Sequence, residues 1–181
     1  MLKKIIFIIV ALLSLLLGFF LIFLKSQSKE PLVGNLSRAQ LEKAFSQWQN
    51  FNSSENPQHE ASLALAQVPQ GATIDIYLGS WCSDSVREVS RLWQALDALF
   101  EEPPFQIRYI GVDRNKWAPG LPPNLELIFV PTFVVSREGH EQGRIIESAP
   151  RGIEVELKEL LTGEQHGIIS GRTILEQTCA D

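Results

Sequence analysis

From Ile5 to Leu24 the chain reads IIFIIVALLSLLLGFFLIFL, twenty positions of which eighteen are apolar and none is charged. Wound as a helix at roughly 1.5 Å per residue, such a run reaches about 30 Å, the hydrocarbon thickness of a bilayer. No second long apolar run follows, which excludes a multi-span membrane protein. Without residues 1–29, about 40% of the chain is hydrophobic, an ordinary value for a folded domain and too high for intrinsic disorder. The sequence therefore describes two objects joined end to end. A cleavable signal peptide is the competing reading of the first, given Lys3 and Lys4 before the run and Ser26 and Ser28 after it. The run exceeds the roughly 7–15 apolar residues of a signal sequence, and no cysteine follows it to be lipidated, so an uncleaved transmembrane anchor over 5–24 is expected.

Residues 30–181 hold all 21 acidic residues and 12 of the 16 basic ones, a net charge of −9. So acidic a body argues against nucleic acid as a partner, and against lying on anionic lipid. The lysines flanking the span favour a cytoplasmic N-terminus only weakly. Together these features place the body outside the cytoplasm, on the periplasmic side of a bacterial inner membrane.

Residues 25–36 read as a tether and 37–70 as a helical extension. Within it Ser37 and Gln40 form a capping box ahead of Leu41, Ala44, Phe45 and Trp48, and Ala61 to Val68 makes a second short helix. The pattern then alternates. Thr73 to Leu78 is a strand, Val86, Val89, Trp93, Leu96 and Phe100 recur at helical spacing, and Phe105 to Val112 is a strand that a right-handed crossover lays parallel to the first. Phe129 to Ser136 and Gly143 to Glu147 form a hairpin about Glu138-Gly139, and Ile153 to Leu161 is a closing amphipathic helix. The order is β-α-β followed by β-β-α over residues 71–163, with 164–181 as a polar tail.

In such an order, chemistry belongs where a strand's carboxyl end meets a helix's amino end. Trp81-Cys82-Ser83-Asp84-Ser85 occupies that junction. A thiol there faces unpaired backbone N–H groups and the positive end of the helix dipole, a setting suited to a nucleophile. Asp84 opposes this and Arg87 partly neutralises Asp84. Ser85, one helical turn on, can turn its hydroxyl to the Cys82 sulfur. His59, His140 and His166 stand far apart without ligand spacing, so no metal site is expected, and no phosphate loop, hydrolase elbow or other cofactor motif is present.

Over roughly Gly71 to Gly163 the chain resembles the thioredoxin superfamily. The strand running into Trp81-Cys82, the long helix after it, the Val112-Asp113 strand end, Val130-Pro131-Thr132, and the Gly139 hairpin with its terminal helix carry the resemblance. It implies an α/β, thioredoxin-like three-layer fold, a central mixed sheet flanked by helices, behind the N-terminal transmembrane helix. It further implies a cis peptide between Val130 and Pro131, with Trp81, Val130, Pro131 and Thr132 as the surface that meets an extended substrate, and no cofactor. Two departures bear on chemistry. Family redox enzymes carry Cys-x-x-Cys where this chain has Ser85, and Ile76 stands where they have a buried acid.

Three routes follow. Cys82 acts as a monothiol, catalytic with Ser85 as thiolate partner, forming mixed disulfides with client proteins or a glutathione-like thiol in reductase or isomerase chemistry. Alternatively Cys179, the only other cysteine, resolves Cys82 from the tail. In the third, the fold is a non-catalytic module that holds extended polypeptide or assists assembly of other membrane or periplasmic proteins. Trp117, beside Pro119, is a further candidate for a client surface.

Overall fold

The computed structural model describes residues 13–14, 30–49 and 57–172. The chain divides into two compact units, Met1–Glu30 and Pro31–Asp181, and the fold described is that of the second. Apart from Leu13 and Ser14, the expected span Ile5–Leu24 lies outside the described residues, as does Cys179. Among the described residues no helix is long and apolar enough to cross a membrane.

The unit is mixed α/β. Its strands are β1 (Gly34–Leu36), β2 (Ala72–Leu78), β3 (Phe105–Gly111), β4 (Thr132–Arg137), β5 (His140–Ile146) and β6 (Gly167–Ser170), in one sheet of order β1-β3-β2-β4-β5-β6. The central strand, β2, runs parallel to β3 and antiparallel to β4, with Ile76 opposite both Tyr109 and Phe133. The helices are α1 (Arg38–Ala44), α2 (Ser46–Gln49), α3 (His59–Ala64) with a 3-10 turn at Leu65–Gln67, α4 (Ser83–Asp97) and α5 (Ile153–Thr162).

Strand alternation sorts the sheet. Ile74, Ile76 and Leu78 of β2, with Phe133, Val135 and Ile145, join the buried residues of α1, α2, α4 and α5 in one hydrophobic cluster. On the opposite face Asp75 pairs with Arg108, and a smaller cluster of Val112, Ala118 and Val130 closes over Ile110, Trp81 and Cys82. The described helices thus lie on one face, and the irregular segment 113–131 covers the end of the other. Pro119, Pro122 and Pro123 deny that segment a continuous helix by removing backbone donors and restricting the residues before them.

Local sequence chemistry explains most boundaries. At α1 the Ser37 side chain accepts from the Gln40 N–H while the Gln40 side chain accepts from the Ser37 N–H, completing the capping box. The stripe from Leu41 to Trp48 is not one helix, however. Phe45 turns extended and the chain restarts as α2, which sends Trp48 into the core at 3% exposure. Helix α4 stops at Asp97, so Phe100 leaves the apolar stripe and stands 97% exposed. Two segments expected to be irregular are strands. Residues 34–36 of the tether pair antiparallel with β3, and 167–170 of the tail pair in parallel with β5. The strand expected from Phe129 begins only at Thr132, after Pro131.

Candidate functional site

Strand β2 ends at Leu78 and α4 begins at Ser83, leaving Gly79 to Cys82 to turn the chain. Each end of the turn is hydrogen-bonded. The Cys82 N–H donates to the Gly79 carbonyl at 2.9 Å, and the Gly79 N–H donates to Ser85 Oγ at 3.1 Å. Gly79 has no room for a side chain, since a Cβ there would sit 2.9 Å from the Trp81 ring. Cys82 is the N-cap of α4, with extended backbone at φ −94° and ψ 125°.

The Cys82 thiol is free and partly exposed. It does not cap the helix but donates to the Val130 carbonyl at 3.4 Å, so the two segments that the sequence singled out, 81–85 and 130–132, meet at the sulfur. The Val130–Pro131 peptide is cis. Trp81 packs on the same small cluster and donates its indole N–H to the Val112 carbonyl at 3.3 Å.

Ser85 is placed differently from the expectation. It is fully buried, its hydroxyl accepts from Gly79, and it makes no hydrogen bond to the Cys82 sulfur. The spacing of three residues puts it on the correct side of the helix, but the unpaired Gly79 N–H is the stronger claimant in a buried site. Thr132 is also buried, and its hydroxyl donates to the Phe129 carbonyl at 2.8 Å, bracing the loop from within. Val130 and Pro131 are buried as well, and the Pro131 carbonyl accepts from the Glu147 N–H at 2.7 Å. Asp84 and Arg87 form the expected pair at 2.5 Å.

Several residues beside the site, Arg114, Arg172 and Ser80 among them, carry no signal in the sequence, whereas Trp117 does. The Arg114 guanidinium lies over the Trp81 ring, 4.9 Å from its centroid, on a turn held by Asp113, whose carboxylate accepts from the Asn115 and Trp117 N–H groups. Trp117 is 58% exposed on that turn. Arg172 pairs with Glu147 and covers the Phe129 ring at 4.3 Å, and its hydrogen bond to Glu147 raises its pKa further. Ser80 has zero exposure, and its carbonyl accepts from both Gln47 Nε2 and the Trp48 indole N–H.

A second polar group lies deeper, where α4 meets α5. Glu88 is bonded by Arg87 Nε at 2.9 Å and by the Ala149 N–H, and Glu156 accepts from the Arg151 N–H at 3.1 Å. Glu154 accepts from the Gln58 N–H at 2.8 Å and pairs with Arg91. Burial pushes the Glu88 and Glu156 carboxyls above the usual range, against the pull of their neighbouring arginines. Among the described residues no three His, Cys, Asp or Glu side chains are grouped to hold a metal ion.

No family model matches this chain, and no curated protein matches it. Among solved structures, a 1.5 Å crystal structure of a protein of unknown function from Pseudomonas aeruginosa is similar to it, with 16% identity over 70% of this chain and 78% of that one, at a TM-score of 0.40.

Proposed function

We propose that this chain is a membrane-tethered, thioredoxin-like thiol-disulfide protein in which Cys82 forms mixed disulfides with client proteins or small thiols. The observation that carries the reading is the Cys82 sulfur itself, partly exposed at the start of α4 and 3.4 Å from the Val130 carbonyl. In the exchange the Cys82 thiolate attacks one sulfur of a client disulfide. A Cys82–client S–S bond forms, the client's own S–S bond breaks, and the electron pair leaves on the departing sulfur while the thiol proton passes to solvent. Ser85 cannot expel the bound client, so a second client thiol or an external one completes the cycle. In the same reading residues 5–24 anchor the chain in a bacterial inner membrane with the folded unit in the periplasm.

Acid-quenched cells run on non-reducing gels test the chemistry. Wild type carries covalent adducts that disappear in Cys82→Ala, and Cys179→Ala retains them. Wild type without adducts, with Cys82→Ala fully complementing a deletion, overturns the redox reading. A second reading, a binding module for extended polypeptide, draws on the exposed Trp117 and Ile128. It expects clients to be captured equally by Cys82→Ala. Protease added to intact spheroplasts tests the location: a periplasmic unit is cut without lysis.

A further inference from the structure

Three hydrogen bonds from the N-terminal segment converge on one residue of the Cys82 turn. The Leu32 N–H donates to Ser80 Oγ at 2.9 Å, Gln47 Nε2 donates to the Ser80 carbonyl at 2.9 Å, and Trp48 Nε1 donates to the same carbonyl at 3.1 Å. Donors and acceptor are 48, 33 and 32 residues apart in the chain, so no local turn requires these contacts. Both lone-pair directions of the Ser80 carbonyl are used, which fixes the plane of the Ser80–Trp81 peptide, one residue ahead of the Trp81–Cys82 peptide.

The rest of the fold makes room for this arrangement. Gly111, at the end of β3, has no side chain, and a Cβ there would lie 2.2 Å from the Leu32 carbonyl oxygen. Trp48 packs against Trp93 of α4 with ring centroids 5.4 Å apart and planes tilted by 47°, so the donor, itself on α2, rests against the helix that Cys82 caps. Leu32, Leu36 and Phe45 pack against the main core beside it.

We propose that the segment from Leu32 to Trp48 is a positioning element of the Cys82 site, with Gln47 and Trp48 acting through the Ser80 carbonyl to hold the Gly79–Cys82 turn and aim the thiol. The proposal rests on Cys82 as nucleophile for its meaning, but not for its geometry. Disulfide exchange requires the attacking sulfur in line with the bond it breaks, so a turn free to rock spreads the thiol over unproductive directions and slows attack.

Gln47 is exposed, which allows its donor to be removed without opening the core. The test uses the full-length chain with Cys179→Ala, so that Cys82 alone reports, and the aromatic disulfide 5,5′-dithiobis(2-nitrobenzoate) as probe. Gln47→Met keeps the length and removes the donor. It slows the bimolecular reaction about threefold, and hydrogen exchange at the Trp81 and Cys82 amides quickens by a similar factor. Gln47→Lys restores a donor on a flexible side chain one bond longer and returns both rates toward wild type. Adding Trp48→Phe to Gln47→Met slows the reaction about tenfold.

Wild-type reaction and exchange rates in Gln47→Met overturn the proposal, as does equal slowing by Gln47→Met and Gln47→Lys. Should Cys82 in the folded chain react no faster than in guanidinium, the nucleophile reading falls, and amide exchange alone then decides whether the segment positions the turn.

Discussion

The two flanks of Cys82 are built in opposite ways. Toward the N-terminal segment, Ser80 is fully enclosed, and its carbonyl and hydroxyl oxygens both accept from donors outside the turn. Toward the segment after β3, Trp81 is half-buried, Arg114 covers it from the surface, and Trp117 stands exposed. One flank fixes Ser80, two residues before the cysteine, and the other leaves apolar surface uncovered. For Cys82 as the proposed nucleophile, the contrast separates two of its requirements: a rigid mount and an open approach.

The largest effect is expected from Trp48→Ala, which breaks the rigid flank. It removes a side chain that is 3% exposed, packed at a tilt against Trp93 and bonded to Ser80. Loss of such a buried aromatic costs about 3–5 kcal/mol, read as a fall in the denaturant midpoint. Gly79→Ala tests the hinge between the flanks. The added methyl meets the Trp81 ring and forces it outward, at about 1–3 kcal/mol, read as a fall in the denaturant midpoint.

Glu156→Gln probes the buried layer beneath the site, where a charge is held without the exposure enjoyed by Asp84. Burial raises the Glu156 carboxyl pKa in the folded chain above its unfolded value of 4.5. The protonated form is therefore favoured by folding, so its contribution is complete below the unfolded pKa and is lost as pH rises through the folded one. The neutral variant should be more stable than wild type at pH 7 by about 1 kcal/mol, with the difference closing on acidification below the unfolded pKa. Urea unfolding at several pH values checks both sign and window.

The smallest stability effect is expected from Trp117→Ser on the open flank, within about 0.5 kcal/mol. Its consequence should appear instead in partner capture, with fewer adducts in acid-quenched cells at unchanged melting temperature. A large loss of stability would show that Trp117 belongs to the mount and not to the approach.

The same contrast governs what the sequence discloses. The capping box at Ser37 and Gln40 is legible because donor and acceptor lie three residues apart and the helix brings them together unaided. The meeting of Cys82 with Val130 is legible only through a family resemblance that supplies the topology. Strand β1 is not legible, since three residues rich in no strand former are made a strand by pairing with Tyr109, Ile110 and Gly111. Nor is the Ser80 brace, because nothing in a serine between glycine and tryptophan identifies donors more than thirty residues upstream. The helical stripe placed Trp48 inward correctly but could not tell where its indole N–H would go. Ser85 shows the same limit at short range: the spacing fits a bond to Cys82 or to Gly79, and burial decides for Gly79.

Serine differs from cysteine by one atom, and at position 85 that atom is a strut: it ties the first residue of the turn to the first turn of the helix. Sulfur is a weaker acceptor than oxygen and sits farther from its carbon. A chain acquiring a second thiol there would gain an internal exit for a bound partner and loosen the tie on Gly79 in the same substitution. Under the proposed thiol exchange, speed of release and constancy of aim are thus coupled through a single side chain, and serine at position 85 favours aim.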